Sequence, residues 1–395
     1  MPLLRNFALL LAVTTLSFAA CKKENAQSNP SDSGNEDDCV QQATAGSGAI
    51  VEGQFIVLYK SSVVAGRGTS AAGMSEINSR VLNRNRINKE ALKGSFEGQA
   101  GGFVARLSRE EAERLRLDEN IEAIEPDRII SLGTCFTVTA PRLVTWNIQR
   151  VGFGNGIGKR AWVIDSGVDF DHPDLTVDAA KSKSFITGET SAEDENGHGT
   201  HVAGIIAAKN NTIGVLGVAS GATVVSLRVL DKEGTGLLSS IIQALAYVSN
   251  NGTAGDVVNL SVGDDEGISN ALDQQVKATA AKGLFISIAA GNEKTQANKY
   301  SPARANATNV YTVSAVDSLD NFAKFSNYGN DVVDYAAPGV RILSTYIGGR
   351  YAYMSGTSMA APHVAGLLLL KGNALSNSGT AKSDPDGEAD LIAHY

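Results

Sequence analysis

The chain is short of cationic runs, of cysteine and of long apolar stretches, and each shortage removes a class of function. Its 34 Lys and Arg are outnumbered by 42 Asp and Glu, for a formal net charge of −8 over 395 residues. No block of them makes the cationic surface that a phosphate backbone selects, so nucleic acid is not an expected partner. Beyond the first twenty residues no segment is apolar enough to span a bilayer. The 3 cysteines, Cys21, Cys39 and Cys135, allow one pair at most. What is present is a 43% apolar share, which over this length supplies one large core and a smaller one.

The start reads as an address. "MPLLRNFALLLAVTTLSFAAC" has Arg5, an apolar stretch from Phe7 to Phe18, then small residues and Cys21, the layout of a cleaved export signal. Two processing routes stay open. "FAAC" resembles a bacterial lipoprotein signal, with Cys21 lipidated and the protein held at the cell envelope. Ordinary cleavage after Ser17-Phe18-Ala19 releases a soluble protein instead. Both mean export, and membrane contact is expected only through such a lipid. With residues 1–20 as signal, residues 21–52 are polar and Gly/Ser/Asn-rich; they bury too little to offset their ordering entropy and read as a tether. Cys39 and Cys135 then remain as a pair in an oxidising compartment or as two free thiols.

Composition shifts at "GQFIVLYK". From there the pattern reads strand, helix ("MSEINSRVLNRN"), strand ("GGFVARL"), helix ("SREEAERLRL") and strand ("IEAIEPDRII"), with Ser108 and Glu111 as a capping box. Residues 53–134 are thus expected to form a small α+β domain of ferredoxin-like β-α-β-β-α-β type. From residue 135 to 395, "KRAWVIDSG", "ATVVSLRVL", "DVVNLSVG" and "GLFISIAAGN" are apolar runs ending abruptly in polar residues or glycine, separated by helical patterns. Such alternation predicts an α/β fold, a mostly parallel sheet with helices on both faces, and puts a ligand crevice beyond the carboxyl ends of the strands. "GFGNGIGKR" is not a phosphate loop: Phe153 stands where glycine is required, and Arg160 follows Lys159.

Polar residues at those strand ends are the candidates for chemistry. Asp165 ends "AWVID"; alone it reads as a cap or loop acceptor. His198 stands between two glycines at the head of an apolar helix, facing the crevice, which separates it from His172, His201, His363 and His394. Ser358 opens "SMAAPHVAGLLLL", where first-turn N–H groups and the helix dipole favour an oxyanion beside the hydroxyl. Nucleophile, base and orienting carboxylate therefore all have candidates.

"VIDSGVD", "NGHGTHVAG" and "SGTSMAAPHVAG", in that order, resemble the signature segments of the subtilisin-like serine proteases. The run "FSNYGNDVVDYAAPGVRILSTYIGGRYAYMSGTSMAAPHVAG" is most similar to the proteinase K group, and "IEAIEPDRII" ends a domain resembling the family's inhibitory propeptide. The resemblance implies Ser358 as nucleophile, His198 as general base and acid, Asp165 as orienting carboxylate, and Asn292 with the Ser358 backbone N–H as oxyanion donors; His363 is read as packing. It implies a protein or peptide substrate paired along Leu260, Ser261, Val262 and Gly263, read as an edge strand. Ala289, Ala290 and Gly291 are further contacts, and "GTGLLSS" is the opposite wall. It implies a monomer needing no catalytic cofactor, with structural calcium near Asp334 as one reading and a solvated carboxylate as the other. Asp264 and Asp265, where the family usually has further glycine, leave two readings: solvated loop acids, or carboxylates that reach the pocket and favour Lys or Arg. The propeptide is expected to inhibit in the same chain and to be cut near Thr134, the alternative being a permanent linker between two domains. The contrasting reading is a catalytically silent surface protein that keeps the cleft for peptide capture.

Overall fold

A computed structural model gives the structure of residues 49–66, 68, 70–131, 135–138, 144–263 and 267–395. The signal, residues 21–48 of the expected tether, Asp264, Asp265 and Thr134 lie outside these described residues; residues 50–52, expected in the tether, instead open the first strand, where Ile50 pairs with Arg128. Among the described residues no helix is long and apolar enough to cross a membrane.

The small domain begins with the strand Ile50–Tyr59, which pairs antiparallel with Gly102–Arg106 on one side and Ile121–Ser131 on the other. A strand missing from the sequence reading, Leu92–Phe96, forms a hairpin with Gly102–Arg106 and completes the β-α-β-β-α-β order. Its Lys93, Gly94 and Ser95 hid it, because they carry no β-branched or apolar alternation. Helix Arg109–Arg116 starts with the expected capping box: Glu111 N–H donates to Ser108 Oγ at 3.2 Å, and Ser108 N–H to Glu111 Oε2 at 2.8 Å.

"FIVLY" is apolar at every position because the small sheet is buried on both faces. Val57 and Tyr59 point to helices Ala71–Arg84 and Arg109–Arg116, in a cluster with Met74, Ile77, Val81 and Leu115. Ile56 and Leu58, on the alternate face, join Phe96 and Val104 in the core of the large domain. Each such side chain contributes about 1.5–3 kcal/mol when fully buried. Apolar area therefore holds the two domains together.

The large domain is built on a sheet ordered Ser376–Thr380, Leu391–His394, Val333–Pro338, Val310–Val316, Phe285–Ala289, Val257–Leu260, Arg160–Asp165, Thr223–Arg228, Thr176–Val177, parallel except for the first pair. Alternation along Arg160–Asp165 divides the two cores. Ala161 and Val163 face helices His198–Ala207 and Thr357–Lys371, while Trp162 and Ile164 face helices Leu238–Asn251 and Asn270–Ala280. The strand order runs outward from Arg160–Asp165 on one side to Thr223–Arg228 and on the other to Val257–Leu260. The crevice of an open α/β sheet lies at such a reversal. Asp165 is the last residue of that central strand.

Candidate active site

Asp165 is fully buried, and its two oxygens accept from His198 Nδ1 at 2.8 and 2.9 Å. A carboxylate only accepts, so the imidazole proton is on Nδ1. His198 is the first residue of its helix, after Gly197 at φ 111°; a Cβ on Gly197 would lie 2.1 Å from the Tyr346 ring. That glycine is required by both conformation and space. His198 Nε2 is buried and has no hydrogen-bond partner.

Ser358 is the second residue of helix Thr357–Lys371. Pro362 has no N–H to give the carbonyl four residues earlier, which is that of Ser358. Ser261 Oγ fills the gap, donating to Ser358 O at 3.0 Å, and is itself held by Asn259 Nδ2 at 2.8 Å. The proline thus ties the serine's turn to the end of strand Val257–Leu260. The Ser358 hydroxyl donates to Ser261 O at 3.2 Å, not to His198. The structure joins His198 to Asp165 but leaves the Ser358 hydroxyl turned aside.

Asn292 follows strand Phe285–Ala289, and its Oδ1 accepts from Thr357 N at 2.9 Å and Thr357 Oγ1 at 3.1 Å. The backbone N–H can only donate, so these bonds fix the amide with Nδ2 directed away from Thr357. The loop is held by Asn327, fully buried, whose Nδ2 donates to Ala290 O and Glu293 Oε2 and whose Oδ1 accepts from Glu293 N and Thr295 N. Burial pushes the Glu293 carboxyl up, opposed by the Asn292 backbone and Asn327. The sequence reading missed Asn327, because "FSNYG" carries no local sign of a partner over thirty residues away.

The expected substrate segment needs one correction. Val257–Leu260 is not an edge strand: it pairs with Arg160–Asp165 and Phe285–Ala289. Leu260 is fully buried, its backbone in the ladder; of the three residues beyond the sheet, Ser261 and Val262 are also buried and Gly263 is partly open. Ala290 is also fully buried, while Ala289 and Gly291 are partly open. On the opposite wall, Thr235–Leu237 pairs antiparallel with the end of the small domain, Thr235 with Ser131 and Leu237 with Ile129.

The remaining histidines have other tasks. His363 is buried, with Nδ1 donating to Met359 O at 2.8 Å and Nε2 accepting from Asn147 Nδ2 at 2.8 Å; burial lowers its pKa to about 4. That is the packing role expected of it. His201 Nε2 donates to Ile342 O and Ala352 O, and burial holds it neutral, at about 3. His172 Nε2 donates to Arg350 O, and His394 lies in the C-terminal strand. Asp334 Oδ2 accepts from Thr312 N at 2.8 Å, and burial raises its pKa to about 6. Among the described residues no three His, Cys, Asp or Glu side chains are placed to share a metal ion. Cys21 and Cys39, with any pairing to Cys135, lie outside the described side chains.

Family comparisons match residues 162–383 to the subtilase family and residues 56–133 to the peptidase inhibitor I9 family. A thermostable alkaline protease of Halalkalibacterium halodurans is 42% identical over 275 residues, 67% of this chain and 71% of its own. A thermophilic serine proteinase of Bacillus sp. is 36% identical over 360 residues, 88% of this chain and 84% of its own. Among solved structures, a cold adapted subtilisin-like serine proteinase superposes with TM-score 0.55 at 32% identity, covering 64% of this chain and 98% of that one.

Proposed function

The chain belongs to the subtilase family, as a serine endopeptidase preceded by a propeptide inhibitor domain, and from that premise we propose that it is exported, matures itself, and cleaves through Asp165, His198 and Ser358. The observation that carries the assignment is the His198 imidazole, gripped at Nδ1 by both Asp165 oxygens while Nε2 stays buried and unpartnered. A buried acceptor without a donor costs about 1–3 kcal/mol, and a turn of the Ser358 hydroxyl away from Ser261 O supplies the donor.

With a peptide along Ser261–Gly263, Ser358 Oγ attacks the scissile carbonyl carbon as its proton passes to His198 Nε2. Asp165 holds the tautomer and stabilises the imidazolium. The carbonyl oxygen becomes an oxyanion held by Asn292 Nδ2 and the Ser358 backbone N–H, one such donor being worth ~3 kcal/mol. His198 returns the proton to the leaving amine; water then repeats the sequence on the acyl-enzyme. No cofactor enters.

Self-processing rests on where the connector begins and ends. Ser131 lies against Thr235 on the cleft wall, and the next described strand, Cys135–Val138, pairs antiparallel with Arg350–Ser355, Cys135 opposite Ser355. Ser355 is three residues ahead of Ser358. A chain held at both ends beside the nucleophile reacts as an intramolecular substrate. We place the signal at residues 1–20, the tether from 21 up to the strand that opens at Ile50, the propeptide from there to 134 and a monomeric peptidase at 135–395. Whether Cys21 carries lipid decides between envelope-bound and released forms. A fluorophosphonate probe tests the reading: labelling of the mature protein that disappears in Ser358→Ala supports it, and absence of labelling favours the silent peptide-binding alternative.

A further inference from the structure

The loop before His198 carries a carboxylate with no part in the chemistry above. Asp194 is buried, and five donors converge on it. Oδ1 accepts from Ser166 Oγ at 2.9 Å, Asn196 N at 3.0 Å and Gly197 N at 2.9 Å; Oδ2 accepts from Thr200 N at 2.9 Å and Thr200 Oγ1 at 2.6 Å. Ser166 follows Asp165, and Thr200 follows His198 by two residues. We propose that Asp194 is a positioning residue for proton transfer, locking the strand end that carries Asp165 to the helix start that carries His198. The proposal rests on the reading of that pair as base and orienting carboxylate.

The two hydroxyls show why a carboxylate is needed. Ser166 Oγ accepts from Gly199 N at 3.0 Å, and Thr200 Oγ1 accepts from Asp169 N at 2.9 Å. Backbone N–H groups only donate, so both hydroxyl protons are directed at Asp194. Ser166 also donates its own N–H to Asp165 Oδ1 at 2.7 Å, which makes Ser166 the link between the two carboxylates. An asparagine at 194 fits the space but turns an NH2 toward one set of these donors, with Thr200 N or Gly197 N then left facing a donor.

The fit leaves one direction of escape. A Cβ on Gly199 would lie 2.0 Å from Gly167 O and 3.0 Å from Asp165 Cβ, and one on Gly167 would lie 2.7 Å from Asp194 Cα. Helix start, strand exit and Asp194 are already in contact. Loosening the lock therefore moves His198 away from Asp165, not closer. The groups facing His198 are the Asp165 carboxylate and the neutral His201, so weakening the contact with Asp165 withdraws the one opposite charge that supports the imidazolium formed when His198 takes the serine proton.

The test is steady-state kinetics on a small peptide anilide, with kcat referred to the sites a fluorophosphonate titrates. In Asp194→Asn we expect kcat per site to fall about ten- to a hundredfold with KM within about twofold, and the acid limb of kcat/KM to move to lower pH. Ser166→Ala, which removes one of the five donors, shifts both quantities in the same direction by less. A fold weakened without repositioning lowers the number of titrated sites and leaves kcat per site and the acid limb unchanged; that result overturns the proposal. Should Asp194→Asn fail to fold or mature, Ser166→Ala and Thr200→Val carry the test, and unchanged kcat per site in both overturns it. Failure of the triad reading is separate: there, Ser358→Ala still labels.

Discussion

Ser239 donates both its backbone N–H and its hydroxyl to Asp127, at 3.0 and 2.6 Å, across the boundary between propeptide and peptidase. Helix Leu238–Asn251 follows Leu237, whose side chain cannot cap it. Its cap comes from the last strand of the other domain. Two residues earlier, Glu125 accepts from Ser269 Oγ and from the backbone of Asn270 and Ala271, at the head of helix Asn270–Ala280. Apolar area holds the propeptide on, and these two carboxylates set the register that lays Ile129–Ser131 along Thr235–Leu237.

Replacing Asp127 by Ala removes the cap and leaves Gln54 Nε2, which donates to Asp127 at 2.7 Å, without its acceptor. The loss of a helix cap costs about 1–2 kcal/mol, so inhibition of mature enzyme by separately added propeptide weakens about tenfold. An unchanged inhibition constant would show that the cap does not contribute to docking.

Glu125 makes that inhibition depend on pH. Burial, with the like charge of Asp273 adding to it, raises its pKa from 4.5 to about 7; the Ser269 hydroxyl and helix N–H groups oppose the rise. Asp273 is itself 3.6 Å from Arg304, with Lys277 near. A raised pKa means that the complex binds a proton the free propeptide releases, so the contribution is fully present below about 4.5 and is lost as pH rises through 7. Propeptide inhibition should weaken from pH 5 to pH 8 in the wild type, and Glu125→Gln should flatten the profile. A wild-type profile no steeper than that of the variant contradicts the argument.

In the peptidase itself, Asp165→Asn should lower kcat about 10⁴-fold, because an amide no longer selects the Nδ1–H tautomer. If Asn292 is the proposed oxyanion donor, Asn292→Ala should cost about 10²–10³ in kcat with KM little changed. Peptide-anilide kinetics check both. A loss in KM alone would move Asn292 from oxyanion support to substrate binding.

Much of this was legible in the sequence. Strand-end Asp165, glycine-flanked His198 and helix-opening Ser358 lie where local pattern puts them, and the Ser108–Glu111 box is a three-residue relationship. The long-range partners were not legible. Asp194, Asn327 and Asp127 look like ordinary loop or strand acids and amides until the fold brings their donors to them. The interior position of Val257–Leu260 follows from strand order, which no local run encodes. Leu92–Phe96 was missed because the hairpin and tertiary packing, not propensity, make it a strand.

The central claim is that one serine both cleaves substrates and frees its own enzyme. Intact mass measured on the wild-type chain and on Ser358→Ala, expressed side by side, tests it most directly. The account predicts two fragments divided within a few residues of Thr134 for wild type and one uncut chain for the variant. The same cut in both, or an active wild type of full-length mass, would contradict it.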